Sequence, residues 1–133
     1  MEIIRGEKPS VDAWLEEIKK SPLSRGAGMY LIHYGVVRES PKAEVREGAT
    51  GLPRVCAVET EVDWEKADKA VEEALSLPGI IAIKVWLNEG ILMVGSDIMQ
   101  VLVCGDIRPR VIAALEKLVG DLKNKCITEK EIY

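Results

Sequence analysis

The sequence predicts an α+β protein whose strands pair mainly antiparallel, and three observations carry that expectation. Three stretches set apolar residues at helical spacing, several apolar runs are short and bounded by Gly, Pro or Asn, and glycines at 90 and 95 bracket a piece that reads as a tight return. With 133 residues, 47 % of them hydrophobic, residues 1–133 read as one domain able to bury a core without disulfides or metal.

The elements follow in order. Ser10 is placed to cap a first helix in which Val11, Trp14, Leu15 and Ile18 form one apolar stripe, and Pro22 with Gly26-Ala27-Gly28 ends it. Residues 29–37 read as a strand, apolar or aromatic on both sides and therefore covered on both faces. Residues 39–53 lack periodicity and read as a mobile surface loop. Residues 55–62 form a second strand. Asp63 then caps a helix over 64–77 that turns Trp64, Ala67, Val71, Ala74 and Leu75 inward, and Pro78-Gly79 stop it. Residues 80–87 are a third strand, 91–94 a short apolar piece and 98–104 a further strand. The last helix opens at Arg108, carries Pro109 in its first turn, buries Val111, Ile112, Leu115, Leu118, Val119 and Leu122, and ends at Leu122-Lys123. Residues 125–133 are an extended, docked tail.

Composition removes several function classes. A formal charge of -4 disfavours general nucleic-acid binding, so any anion site has to be local. No run is long enough to span a membrane and the first seven residues lack a signal-peptide core, which places the protein in the cytoplasm. Cys56, Cys104 and Cys126 form no C-x-x-C pair and read as buried free thiols. His33, the sole histidine, falls inside a strand, and no nucleotide loop or zinc motif is present, so neither a cofactor nor a metal is expected.

Cationic chemistry remains. Arg108 stands at a helix start, where unpaired backbone N–H groups and the helix dipole favour phosphate, while Lys123 and Lys130 lie beyond the other end. A lysine among other cations, partly removed from water, can carry protons or attack as a nucleophile near neutral pH.

Gly26-Ala27-Gly28 before an apolar strand, Gly35-x-Val37-Arg38, Gly90-x-Leu92-x-x-Gly95, and Arg108 opening a helix that ends at Leu122-Lys123 with Lys130 seven positions on together resemble the large, catalytic subunit of molybdopterin synthase. The resemblance runs from about Gly26 onward and implies an α/β-hammerhead with an antiparallel β subdomain. It also implies a homodimer binding a small ubiquitin-like subunit at each end. That subunit's C-terminal thiocarboxylate would supply sulfur, twice, to cyclic pyranopterin monophosphate to make the dithiolene of molybdopterin. By position, Lys123 matches the principal catalytic lysine, Lys130 the second, and Arg38 and Arg108 the phosphate-binding arginines, one arginine of each site coming from the neighbouring protomer. The sequence departs from the family at Leu87-Asn88, where a His-Arg pair is usual, at Ile107, where histidine is usual, and at Ile127-Thr128-Glu129, where Pro-Phe-Trp is usual. Two other readings fit the same chain. One is a non-catalytic relative that keeps an anion pocket. The other takes the order of elements from Val55 onward as a ferredoxin-like βαββαβ module that binds a small metabolite.

Overall fold

A computed structural model describes residues 2–133. Ser10 caps the first helix, α1 (Val11–Lys20), its hydroxyl accepting from the Ala13 N–H at 3.4 Å, and Trp14 and Ile18 are the buried members of its apolar stripe. A 3-10 turn (Pro22–Gly26) leads into β2 (Met29–Val36), preceded by a short first strand, β1 (Glu2–Ile4). Three residues give too little pattern for sequence reading to find β1. Asp63 caps α3 (Trp64–Leu75) by accepting from the Lys66 N–H at 3.1 Å. The remaining strands are β3 (Ala57–Val62), β4 (Ile80–Leu87), β5 (Gly90–Met93), β6 (Asp97–Gly105) and β7 (Ile127–Ile132). The last helix, α4 (Arg108–Asp121), passes into a π-helical segment (Leu122–Cys126) before β7.

The strands divide into two sheets. One has the order β1-β4-β6-β2, with β1 parallel to β4 and the other pairs antiparallel; the second, β5-β3-β7, is antiparallel throughout. Alternation along the central strand β6 serves both faces of the larger sheet. Val101 and Val103 meet Val111, Ala114 and Leu118 of α4 and Ala67, Val71 and Ala74 of α3. Leu102 and Cys104 meet Trp14 and Ile18 of α1. Where the two sheets join, Val37, Val55, Val58, Leu92 and Ile98 form a third, small core.

Several expectations change. The stretch 39–53 contains a helix, α2 (Lys42–Glu47), closed by Gly48 in the left-handed region at φ +73. Six residues are too few to show helical periodicity. The piece at 91–94 is not a return within one sheet, because β5 leaves β4 and pairs with β3, Met93 opposite Ala57. That crossing also removes the ferredoxin-like alternative, since β3 and β4 lie in different sheets. Ile112 is exposed and Ala114 is buried in the α4 stripe instead. Cys104 and Cys126 are buried as expected, but Cys56 is exposed. β2 is an edge strand, so Tyr34 and Val36 stand open rather than covered.

Gly26-Ala27-Gly28 has a packing reason. The Gly28 N–H donates to the Gly105 carbonyl at 2.8 Å, and a Cβ at Gly28 would collide with the Asp106 carbonyl oxygen. The motif seats the start of β2 against the turn that launches α4.

Candidate active site

Antiparallel pairing fixes where the cations lie. β2 begins opposite Gly105, Met29 pairing with it, and ends opposite Asp97, paired with Val36. Arg108 follows Gly105 closely and belongs to the first end; Arg38 follows Val36 and belongs to the second. α4 runs back across the sheet, and its 14 residues span about 21 Å at 1.5 Å per residue, which brings Lys123 to the Arg38 end.

There a shallow depression of about 40 Å³ is lined by Arg38, Ser40, Lys42, Arg46, Lys123, Glu129 and Glu131 over an apolar floor of Val37, Val58 and Ile98. Arg38 and Lys123 thus share one site. Arg108 is exposed at the far end of α4, and Lys130 does not reach the depression. Side chains alternate along β7, so Glu129 and Glu131 face inward with Ile127 while exposed Lys130 faces the other way, opposite Glu59 of β3. The seven positions from Lys123 to Lys130 cross the rest of the π-helical segment and enter β7, where the alternation of the strand decides which side chains face the depression.

The site holds groups that motif reading overlooks. Lys42 pairs with Glu129 at 3.0 Å through its ammonium and donates its backbone N–H to Glu131 at 2.9 Å, so α2 is tied onto β7. Arg54 pairs with Glu44 on the same segment, and the Arg38 Nε–H donates to the Ser40 carbonyl at 3.2 Å. Four cations (Arg38, Lys42, Arg46, Lys123) against two carboxylates leave a formal excess of two positive charges. The Lys42/Arg46 pair at helical spacing and the Glu-Lys-Glu alternation at 129–131 are the sequence signals that could have found them.

His33 belongs beside this group. It lies on the α4-facing side of β2, and burial and then the charge of Lys123 push its imidazole below the ordinary histidine range. Larger clefts lie elsewhere: one of about 480 Å³ is lined by Lys66, Lys69 and Cys126, and one of about 250 Å³ lies beside buried Lys84, which pairs with Glu17 at 3.0 Å. Among the described residues no cluster of His, Cys, Asp or Glu could hold a metal ion, and no helix is long and apolar enough to cross a membrane.

The family model described as MoaE protein matches residues 4–125, from the end of β1 through all but the last residue of the π-helical segment, leaving out β7. The chain belongs to the MoaE protein family. Solved structures agree on the fold. A molybdopterin synthase from Staphylococcus aureus superposes with a TM-score of 0.72 at 20% identity, covering 99% of this chain and 90% of that one. The molybdopterin biosynthesis MoaE protein from Burkholderia ambifaria MC40-6 gives 0.70 at 18% identity, covering 98% and 86%. A complex of subunits 1 and 2 of the molybdopterin-converting factor from Helicobacter pylori 26695 gives 0.64 at 16% identity, covering 99% and 88%. A search of curated proteins returns no significant match. The α+β fold expected from the sequence, here built on two sheets, is that of these MoaE-like structures. Glu129 and Lys130 lie beyond the matched residues.

Proposed function

We propose that this MoaE-family chain is the catalytic subunit of a cytoplasmic molybdopterin synthase, moving sulfur from the C-terminal thiocarboxylate of a small ubiquitin-like subunit onto cyclic pyranopterin monophosphate. The observation that carries the reading is the convergence of Arg38 and Lys123 on one cationic depression. Thiocarboxylate and phosphate are both anions, and bringing them together requires positive charge already in place. The H. pylori neighbour, a complex of two subunits, supports a small-subunit partner.

The roles divide by chemistry. Arg38 holds the phosphate through forked, charge-assisted hydrogen bonds, and Lys123 carries protons to and from the reacting centre. Arg108, a helix length away in the same chain, serves the site of a second copy, so the working unit is a homodimer. Arg108→Ala then weakens substrate binding by about 1.5 to 3 kcal/mol. By its position in the family resemblance Lys130 matches the second active-site lysine; its outward face makes its replacement a test of that role.

Purified dimer, thiocarboxylated small subunit and cyclic pyranopterin monophosphate are mixed and dithiolene product is measured. Turnover that Lys123→Ala abolishes supports the reading. Full turnover in Lys123→Ala refutes the role of that residue. A second reading, a relative that binds the pterin phosphate without sulfur transfer, is favoured by the two carboxylates inside the depression. Pterin binding with no turnover beside a competent small subunit would establish it.

A further inference from the structure

His33 is the only histidine of the chain, and its Nε2 is buried without a hydrogen-bond partner. An unpaired buried polar atom is costly, so it calls for a reason. Along its face of β2, Leu31 and Gly35 flank it; across β6 it is registered with Val101. Over that face α4 and the π-helical segment bring the apolar Leu118 and Leu122, and the next residue is Lys123. Lys123 is the charged group whose field reaches the imidazole, and it has no ion-pair partner among the described residues. Five residues on from His33, just past the end of β2, Arg38 enters the same depression as Lys123.

We propose that His33 is a positioning residue for Lys123: a neutral imidazole, protonated on Nδ1, whose Nε2 lone pair receives the Lys123 ammonium and fixes it over the depression. Burial beside a cation keeps His33 neutral, and a neutral imidazole with one protonated nitrogen leaves the other as an acceptor. Below the pH at which His33 takes up a proton, that acceptor becomes a second donor and a second positive charge. It then releases Lys123. The inference rests on Lys123 being the reacting lysine proposed above, but the pairing itself can be tested without turnover.

Because the chain has one histidine, nuclear magnetic resonance follows its imidazole alone. His33 is expected to titrate below the usual 6.5, and Lys123→Met to raise its midpoint. An ordinary midpoint that Lys123→Met leaves in place overturns the pairing, whatever the enzyme does. In turnover, His33→Phe keeps the ring and its burial but removes the acceptor; kcat should fall by about tenfold or more with KM little changed, and the acid limb of the profile should disappear. His33→Gln, which restores an acceptor near the same place, should recover part of the loss. Turnover and acid limb of His33→Phe equal to wild type overturn the positioning role. A wild-type protein with no turnover at all refutes the enzymatic reading, while the titration still decides the pairing.

Discussion

Replacing Glu129 with glutamine should tighten anion binding. In the depression Glu129 is only 12% exposed at its side chain and lies 3.0 Å from the Lys42 ammonium, so it occupies the place of an anionic ligand and neutralises one of the four cations. A unit charge roughly 7 Å from a bound phosphate is worth about 0.6 kcal/mol with bulk-water screening and about 2.4 kcal/mol at an effective dielectric constant of 20. The depression is shallow, about 40 Å³, and open to water, which favours the lower part of that range. About 0.6 to 1.2 kcal/mol corresponds to roughly three- to eightfold tighter binding. Release of Lys42 adds to the effect by freeing a donor for the ligand. Calorimetric titration with inorganic phosphate and with cyclic pyranopterin monophosphate at two salt concentrations measures it, and the gain should shrink as salt rises. Weaker binding in Glu129→Gln would show that the carboxylate orders the site rather than competing for it. Unchanged affinity for both ligands would place the anion site elsewhere.

Mixing Arg108→Ala with Lys123→Ala dimers and allowing exchange should restore about a quarter of wild-type turnover, since half of randomly assorted dimers are mixed and each has one intact site of two; no recovery would put both residues in one protomer's site or in none. Lys130→Ala should keep turnover within about twofold of wild type if its outward face on β7 decides its role, an exposed polar substitution away from the site, and a loss as deep as that of Lys123→Ala would refute that. Leu118, fully buried between α4 and the larger sheet, should cost about 2 to 5 kcal/mol when changed to alanine, read from the urea midpoint. The His33 pKa is depressed in the folded state, so the unfolded chain binds the extra proton first and stability falls as pH drops below 6.5 toward the folded value. Equilibrium unfolding of wild type and His33→Phe should show that slope in the former only.

Helix caps and core stripes were legible because each is a local pattern: Ser10 and Asp63 cap as read, and Trp14, Ile18, Val71 and Leu118 are buried where helical spacing puts them. Pairing was less legible. Nothing local tells residues 90–93 to leave β4 for β3, because the decision rests on Leu92 meeting Val58 and Val37 across the join of the sheets. The same limit applies to the site. Arg38 and Lys123 lie 85 positions apart, and antiparallel strands and a helix of suitable length bring them together. Lys130 stands apart because alternation along β7 turns Glu129 and Glu131 toward the depression and Lys130 away from it, which a count of residues does not show. Ile112 departs from the sequence expectation because Ala114 holds the inward position on a stripe that has several apolar candidates.

α4 sets the geometry of the proposed chemistry. A rod of about 21 Å with Arg108 at one end and Lys123 just past the other cannot fold both onto one phosphate, and bending it would break a stripe fully buried from Val111 to Leu122. A two-fold axis answers the constraint without deforming the helix, since it can set the start of one α4 beside the end of the other. Each site then draws cations from two chains, whereas a single chain has to offset Glu129 and Glu131 with its own. The formal excess of two positive charges in the depression would become three when the partner's arginine enters. Association of the two chains and affinity for the anion are therefore linked: phosphate should favour the dimer, and dilution that separates the chains should lower phosphate affinity in step.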